Sequence, residues 1–301
     1  MRTHKKTSLF LALALLMVAL GLTGCLEEAD LPGTLRVAIT DSPIDAKGVK
    51  SVNIFITDLE GLQDGTWKSL QNFETPLGVN LLDLIGSRSL LIVNQPVNPG
   101  EFSDLRLTLK MATRNSSLIA NPQSNVAFNE GSITHLLLPA GASPQIVIPY
   151  KTGIASRKVT DITMDFDLRK SIRKNDQGEY LLTPFIRTVI TGQSGHIEAT
   201  IKNLPVPEGI VVYAYLPGSF RTSEMSGAGD VVPFINAITS AAVHIDHCEL
   251  GFLESGSYDL IFARHNQEGV PIELLGKVNG VEVRALEKTQ IEISLGLLDP
   301  P

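Results

Sequence analysis

The chain has 301 residues, of which 43% are hydrophobic and 19% are charged, and its formal net charge at pH 7 is −7. A chain of this length and apolar content can bury a substantial core and has room for about two domains. The acidic balance argues against a nucleic-acid-binding surface, which needs clustered lysine and arginine side chains to meet the phosphates.

The N-terminus has the layout of an exported protein. Three basic residues within the first six positions precede a mostly apolar run over residues 8–22. This run is shorter than the roughly 20 apolar residues that a membrane-spanning helix needs. The stretch LTGC at residues 22–25 follows, and it resembles the lipobox of bacterial lipoproteins. The resemblance implies that residues 1–24 are a cleaved signal peptide and that Cys25 carries a diacylglycerol and an N-acyl chain. The alternative is an ordinary signal peptide with a chance cysteine.

A lipid on Cys25 predicts a cell-envelope protein that contacts the membrane through its acyl chains. Residues 25–32 are short, acidic and end in a proline, which suits a tether. Leu26 stands where an inner-membrane retention signal usually has aspartate, so the resemblance implies the outer membrane in a Gram-negative cell. Removing residues 1–24, which have three basic and no acidic side chains, leaves 22 basic and 32 acidic residues and a net charge of −10. We expect no nucleic-acid partner and no cofactor besides the lipid.

The cysteine content is low. Cys25 and Cys248 are the two cysteines of the chain, so acylation of Cys25 leaves Cys248 without an intramolecular disulfide partner. We expect Cys248 to be a small buried apolar residue, and intermolecular pairing is the alternative.

After the tether, hydrophobic residues alternate with polar ones, which indicates half-buried β-strands. The clearest examples are GTLRVAIT at residues 33–40 and VKSVNIFITDLEGL at residues 49–62. Helical periodicity is limited to short turns at residues 80–87 and 168–174. The pattern predicts a mainly β fold, with an antiparallel β-sandwich over residues 33–192.

A glycine-bounded break at residues 191–195 precedes a second series of short strands. These predict a second antiparallel sandwich over residues 195–301. Within it, Asn279-Gly280 predicts a two-residue hairpin, because both residues tolerate a positive φ. The two halves also share a weak sequence similarity: Gly100 and Gly256 each stand two positions before an aromatic residue that opens a strand.

Six stretches of the first half resemble, in order, the landmarks of the bacterial lipoprotein domain family DUF4382. They are GTLRVAITDSPIDAKGVKSVNIFITDLE, TWKSL, VNLLDLIG, NPGEFSDLRLTL, ITMDFDLRKSI and EYLLTPFIRTV. The likeness covers about residues 33–192. It implies a β-sandwich surface lipoprotein, often followed by a β domain similar to carboxypeptidase-regulatory or Ig-like modules, with no established activity.

Three aspartates are candidate calcium ligands. On a strand, Asp165 and Asp167 project from one face about 7 Å apart, and Asp41 could approach them from the loop after the first strand. Calcium accepts six to eight oxygen ligands in flexible geometry. The alternative is a solvated outer face neutralised by basic residues at positions 169–173, with Asp41 in an Asx-type turn.

Two further groups are candidate binding residues. Tyr213 and Tyr215 alternate along a strand, and an exposed row of this kind could stack on a sugar ring or contact a protein. The stretch HIDHC at residues 244–248 has metal-ligand residue types, and on a strand its first, third and fifth side chains would share a face. The spacing does not complete a zinc site. Ordinary strand faces are the alternative in both cases.

Two common enzyme motifs are absent from the sequence. We find no nucleophile elbow and no phosphate-binding loop, and Asp165 and Asp167 would point in parallel rather than flank a bond. The sequence therefore predicts a non-catalytic binding or structural role toward an envelope protein or glycan. The alternatives are an envelope hydrolase acting on polysaccharide or peptide, which needs carboxylates and histidines in one cleft, and a calcium-binding surface module.

Overall fold

The structure is a computed structural model, and it describes residues 31–42, 48–117, 122–203, 209–227 and 231–300. The predicted signal peptide and Cys25 lie outside these residues, so the lipid on Cys25 stays a prediction. Among the helices of the described ranges, none is long and apolar enough to cross a membrane.

The described residues are mainly β, as predicted. The division into two domains stays a prediction, and we keep the names first domain and second domain for the strands before and after residue 193. The first domain contains β1 (Gly33–Ser42), β2 (Val49–Gln63), β3 (Thr66–Asn80), β4 (Leu90–Val97), β5 (Gly100–Leu109), β6 (Asn125–Phe128), β7 (Ile133–Leu137), β8 (Gln145–Ile154), β9 (Val159–Asp167), β10 (Ile172–Lys174), β11 (Tyr180–Leu182) and β12 (Ile186–Ile190). The second domain contains β13 (Ser194–Lys202), β14 (Ile210–Tyr215), β15 (Thr239–Ala242), β16 (His247–Glu254), β17 (Gly256–His265), β18 (Pro271–Val283) and β19 (Lys288–Ser294). The predicted short helical turns are confirmed at Leu81–Leu84 and Leu168–Ser171.

Each domain pairs its strands into two sheets. In the first domain one sheet has the order β12-β9-β1-β4, and the other has the order β10-β11-β7-β6-β2-β5-β8 with β3 also paired to β2. In the second domain the orders are β16-β13-β19 and β15-β14-β17-β18. Most pairs are antiparallel, as predicted, but β1 with β9, β7 with β11, and β13 with β19 are parallel. The opening strand of each domain therefore lies inside its sheet beside a parallel partner.

The alternating pattern of the sequence explains the cores. Leu35, Val37 and Ile39 of β1 are fully buried and belong to the apolar cluster of the first domain, together with Ile54 and Ile56 of β2. The second domain has its own cluster between its two sheets, and Cys248 is part of it at 3% exposure. The predicted burial of Cys248 is confirmed, and burial raises the pKa of its thiol to about 12.

The sequence similarity between the two halves corresponds to a similar local arrangement at the start of β5 and at the start of β17. Gly100 opens β5 and Gly256 opens β17, and the aromatic residues two positions later, Phe102 and Tyr258, are 1% and 4% exposed. The Phe102 ring lies against Gly61, where an added Cβ would be 2.5 Å from it. In both places the aromatic ring closes the core at the start of a strand.

The structure corrects two local predictions. Asn279-Gly280 does not form a hairpin but a bulge inside β18, because the Asp259 carboxylate accepts a hydrogen bond from the Gly280 amide at 3.1 Å and stabilises the irregularity. The stretch HIDHC is not one strand, because His244 and His247 exchange backbone hydrogen bonds of 2.9 and 3.0 Å around a two-residue turn. The side chains of residues 244–248 therefore do not share a strand face.

Candidate functional site at the junction of the domains

The three candidate calcium ligands come together where the first domain meets the second. The parallel register of β1 and β9 pairs Thr40 with Asp165 and Asp41 with Phe166, so the carboxylates of Asp41, Asp165 and Asp167 collect at the same end of both strands. They are 3–4% exposed. The predicted solvated outer face is therefore wrong for these aspartates, because the second domain covers it.

Asp165 is linked to the second domain through the two side chains that it contacts, Arg187 and Ser42. Its carboxylate accepts hydrogen bonds from Arg187 Nη2 at 2.6 Å and from Ser42 Oγ at 3.0 Å. Ser42 Oγ also lies 2.8 Å from Thr239 Oγ1 of the second domain, and Arg187 Nη1 donates to the Phe252 carbonyl at 2.8 Å. Burial raises the pKa of Asp165, and the Arg187 charge opposes that shift.

Asp167 organises a second set of contacts across the junction. It caps the helical turn Leu168–Ser171 by accepting from the Lys170 amide at 3.1 Å, and its carboxylate lies 3.2 Å from Lys170 Nζ. Lys170 Nζ donates to the Ala237 carbonyl at 2.7 Å, and Arg169 Nη1 donates to the Pro233 carbonyl at 2.5 Å. Burial lowers the pKa of Lys170, and the Asp167 carboxylate opposes the shift.

Asp41 differs from the other two aspartates because it has no cationic partner among the described residues. Both of its carboxylate oxygens are buried and accept no well-formed hydrogen bond there, although the nearby amides of Leu168 and Ser42 favour its charged form. Burial, reinforced by the charges of Asp165 and Asp167, raises the pKa of Asp41 well above its usual range. A proton or a cation would relieve this cost.

Calcium binding at these aspartates stays a prediction. Over the ranges that the structure describes, no three His, Cys, Asp or Glu residues are grouped in a way that could hold a metal ion. Arg187 and Lys170 already neutralise Asp165 and Asp167, as the basic residues at positions 169–173 were expected to do in part. The arrangement as it stands is a buried polar network that connects two domains.

The predicted exposed tyrosine row is wrong. Tyr213 and Tyr215 are 1% and 0% exposed, because the connection after β14 folds back over the outer face of its sheet. The Tyr213 ring stacks on Phe234 with 4.0 Å between centroids, and Tyr215 donates from its hydroxyl to Glu224 at 3.0 Å. Neither ring is available to a sugar or a protein. Aromatic residues in a long connection were the available signal for this cover.

A cleft of about 190 Å³ lies beside the network, also between the domains. It is lined by Arg88 of the first domain and by His244, His247 and Glu249 of the second. Glu249 contacts Lys288 at 3.2 Å and accepts from the Ser87 amide at 3.3 Å. Sequence reasoning missed Arg88 and Glu249, since nothing local connects residues that face each other from two domains.

A family model described as "Domain of unknown function (DUF4382)" matches residues 32–184, which is just over half of the chain. This chain belongs to the DUF4382 family. The family match thus confirms the resemblance found in the first half of the sequence, with nearly the same boundaries. No curated protein matches the chain.

Several solved structures show a distant likeness. The TIE protein of Bacillus anthracis is 9% identical with a TM-score of 0.21, and the match covers 88% of this chain and 34% of that one, so this DUF4382 chain spans about a third of its length. GBS52, a minor pilin of Streptococcus agalactiae, is 10% identical with a TM-score of 0.22 over 86% and 94% of the two chains. The fimbrial anchor protein Mfa2 of Porphyromonas gingivalis is 12% identical with a TM-score of 0.19 over 87% and 90%. At these scores the likeness carries no functional conclusion.

Proposed function

We propose that this DUF4382 protein is a lipid-anchored component of the cell envelope with a non-catalytic binding or structural role toward a protein or glycan. One observation carries the proposal. Asp41, Asp165 and Asp167 are buried, and Asp165 and Asp167 are paired with basic side chains at the junction of the two domains, so these aspartates do not line a cleft that a substrate could enter. Function is then a property of the outer surface of the protein.

One surface suited to binding lies on the first domain. A cleft of about 440 Å³ is bordered mainly by apolar side chains at the end of β5 and around the connection from β7 to β8. Its lining residues include Leu109, Met111, Leu137 and Pro144. Apolar clefts with few polar groups are typical of binding sites. We propose this cleft as a contact site for the envelope partner.

The anchor is tested by mass and fractionation. The mature protein is expected to carry the mass of a diacylglycerol and an acyl chain on Cys25 and to sediment with membranes. Cys25→Ser should abolish both, and Leu26→Asp should move the protein from outer to inner membrane fractions in a Gram-negative host. An unmodified Cys25, or a serine variant that matures and partitions like the parent, would refute the anchor.

The partner is tested by crosslinking in intact cells. A photoreactive residue in place of Met111 should capture a defined envelope protein or glycan, and the same residue at Gln267, on an exposed turn of the second domain, serves as the control. Recovery of the same products from both positions would argue against a specific contact at the cleft.

An envelope hydrolase is the second candidate function, and the junction cleft with His244, His247 and Glu249 is the observation that favours it. If the protein hydrolyses labelled polysaccharide or peptide, Glu249→Gln should lower the rate at least 100-fold. Absence of turnover on both substrate classes by the lipidated protein leaves the binding role as the better account.

Calcium binding is the third candidate, and it is favoured by the unpartnered carboxylate of Asp41. A bound ion stabilises the folded state by mass action. The melting temperature in excess calcium should therefore exceed that in EDTA, and Asp41→Asn should remove the difference. An unchanged midpoint in the parent protein would eliminate this candidate.

A further inference from the structure

The chain enters the fold at one end of the first domain. The Leu31 carbonyl accepts a hydrogen bond from Ser156 Oγ at 2.9 Å. Gly33 packs so closely on the turn between β8 and β9 that an added Cβ would lie 2.5 Å from the Ala155 carbonyl oxygen. The entry point is therefore held firmly by the rest of the domain.

Three turns surround this entry point, and we call the surface that they form the entry face. It comprises residues 31–34, 63–68, 97–101 and 151–159. The turns belong to one end of the sandwich, because Gln63 Nε2 donates to the Asn98 carbonyl at 3.1 Å and Gly100 pairs with Ile154. The start of β1 completes the surface by pairing with the end of β4.

The short tether limits the distance between the entry face and the lipid. Five residues lie between Cys25 and Leu31, so six Cα–Cα steps join them, and six steps of an extended chain span at most about 20 Å. The ten residues of β1, in contrast, cover about 30 Å at the usual rise per residue. The far end of β1 is Ser42, whose hydroxyl contacts Thr239 of the second domain at 2.8 Å.

The second domain continues beyond that end. Thr239 pairs with Ala214, which pairs with Leu260 of β17, so these three residues share one level of the sheet. β17 begins beside the linker between the domains, residues 191–195, where the Ser255 amide donates to the Gln193 carbonyl at 3.1 Å. After Leu260 it runs five more residues, or about 16 Å, away from the linker to the turn at residues 266–269.

We propose that the entry face lies on the headgroups of the bilayer and that the turn at residues 266–269 points away from the membrane. This orientation rests on the lipidation of Cys25 proposed above. The entry face carries four basic and two acidic side chains, and Leu31 and Val159 are 44% and 57% exposed. The tether adds three acidic residues, so the short reach of the tether, and not charge, determines the orientation.

Energy transfer to a labelled membrane tests the orientation. In the lipidated protein with Cys248→Ser, a donor dye is attached at Ala155→Cys on the entry face or at Gln267→Cys on the distal turn, both of which are exposed positions. The acceptor is a headgroup dye in vesicles of phosphatidylethanolamine and phosphatidylglycerol. Transfer should be at least twofold more efficient from position 155. Equal transfer, or more efficient transfer from position 267, would overturn the proposal.

Two controls separate the orientation from the anchor. A flexible insert of twenty Gly and Ser residues after Glu28 adds roughly 25 Å of reach and should reduce the difference between the two positions. Flotation with the vesicles shows independently whether the protein is anchored to the membrane. A protein that floats but shows no difference retains its lipid and refutes the orientation, whereas a protein that carries no lipid and does not float refutes both proposals.

Discussion

Asp41 is buried beside two carboxylates that already have cationic partners. Asp165 meets Arg187 at 2.6 Å and Asp167 meets Lys170 at 3.2 Å, but no described residue offers Asp41 a cation. Burying an unpaired charge costs free energy, and a carboxyl group in that position takes up a proton instead. The burial of these residues therefore makes the stability of the protein depend on pH.

Asp41→Asn should stabilise the protein at high pH. Because the pKa of Asp41 is raised in the folded state, its contribution to stability is fully present below the unfolded-state pKa of about 3.9 and declines as the pH rises through the folded-state pKa. Asparagine keeps the shape without the charge, so we expect a gain of about 1–3 kcal/mol at pH 8 and none near pH 4. Urea unfolding at both pH values measures this change in the free energy of unfolding. A loss at pH 8 would indicate an ionised Asp41 with a bound cation.

Lys170→Met should destabilise the protein strongly. The substitution retains the apolar stem but leaves Asp167 buried without its closest cation, and breaking a buried ion pair typically costs about 3–5 kcal/mol. Lys202→Met is the matched control, because the pair of Lys202 with Glu292 is largely exposed and should contribute less than about 1 kcal/mol. Equal effects in thermal melts would show that the buried network adds nothing to stability.

β2 and β5 show how one glycine positions an aromatic residue. Phe102 closes one end of the first core, and its ring occupies the space above Gly61 on the neighbouring strand. Tyr258 of β17 is the corresponding aromatic residue of the second domain, and its hydroxyl donates to the Glu254 carbonyl at 2.8 Å. The period-two pattern predicted these strands, but the bulge at Asn279-Gly280 depends on an aspartate from the adjacent strand.

Gly61→Ala should destabilise the first domain. The added Cβ would lie 2.5 Å from the Phe102 ring, and overpacking of this kind typically costs about 1–3 kcal/mol. Gly153→Ala is the control, because an added Cβ there meets no atom within 4 Å. Chemical denaturation of the two variants gives the difference. A Gly61 variant as stable as the Gly153 variant would contradict the placement of the Phe102 ring above Gly61.

The two domains are in close contact through their backbones and through charged side chains. Gly251 of β16 lies against the carbonyl of Gly86, where an added Cβ would be 1.9 Å from the oxygen. Arg169, Lys170 and Arg187 of the first domain donate to carbonyls of the second. The contacts require a fixed relation between the domains, so we expect them to unfold together.

Gly251→Ala should uncouple the domains. A methyl group at this position must displace the Gly86 loop, which separates the surfaces on which the polar network depends. We expect one calorimetric transition in the parent protein and two in the variant, with Gly296→Ala as a control because its Cβ would meet no atom within 4 Å. A single transition in the variant, shifted by no more than the control, would contradict the coupling.

The sequence by itself determined the alternating strands, the burial of Cys248, the short helical turns and the family, because these depend on neighbouring residues or on ordered motifs. Only the tertiary structure decided what covers the second face of a strand. Asp165 and Tyr213 have the spacing of exposed residues, yet the second domain covers one and the connection after β14 covers the other. The contact of Ser42 with Thr239 spans 197 positions, and no local period encodes a contact at that separation.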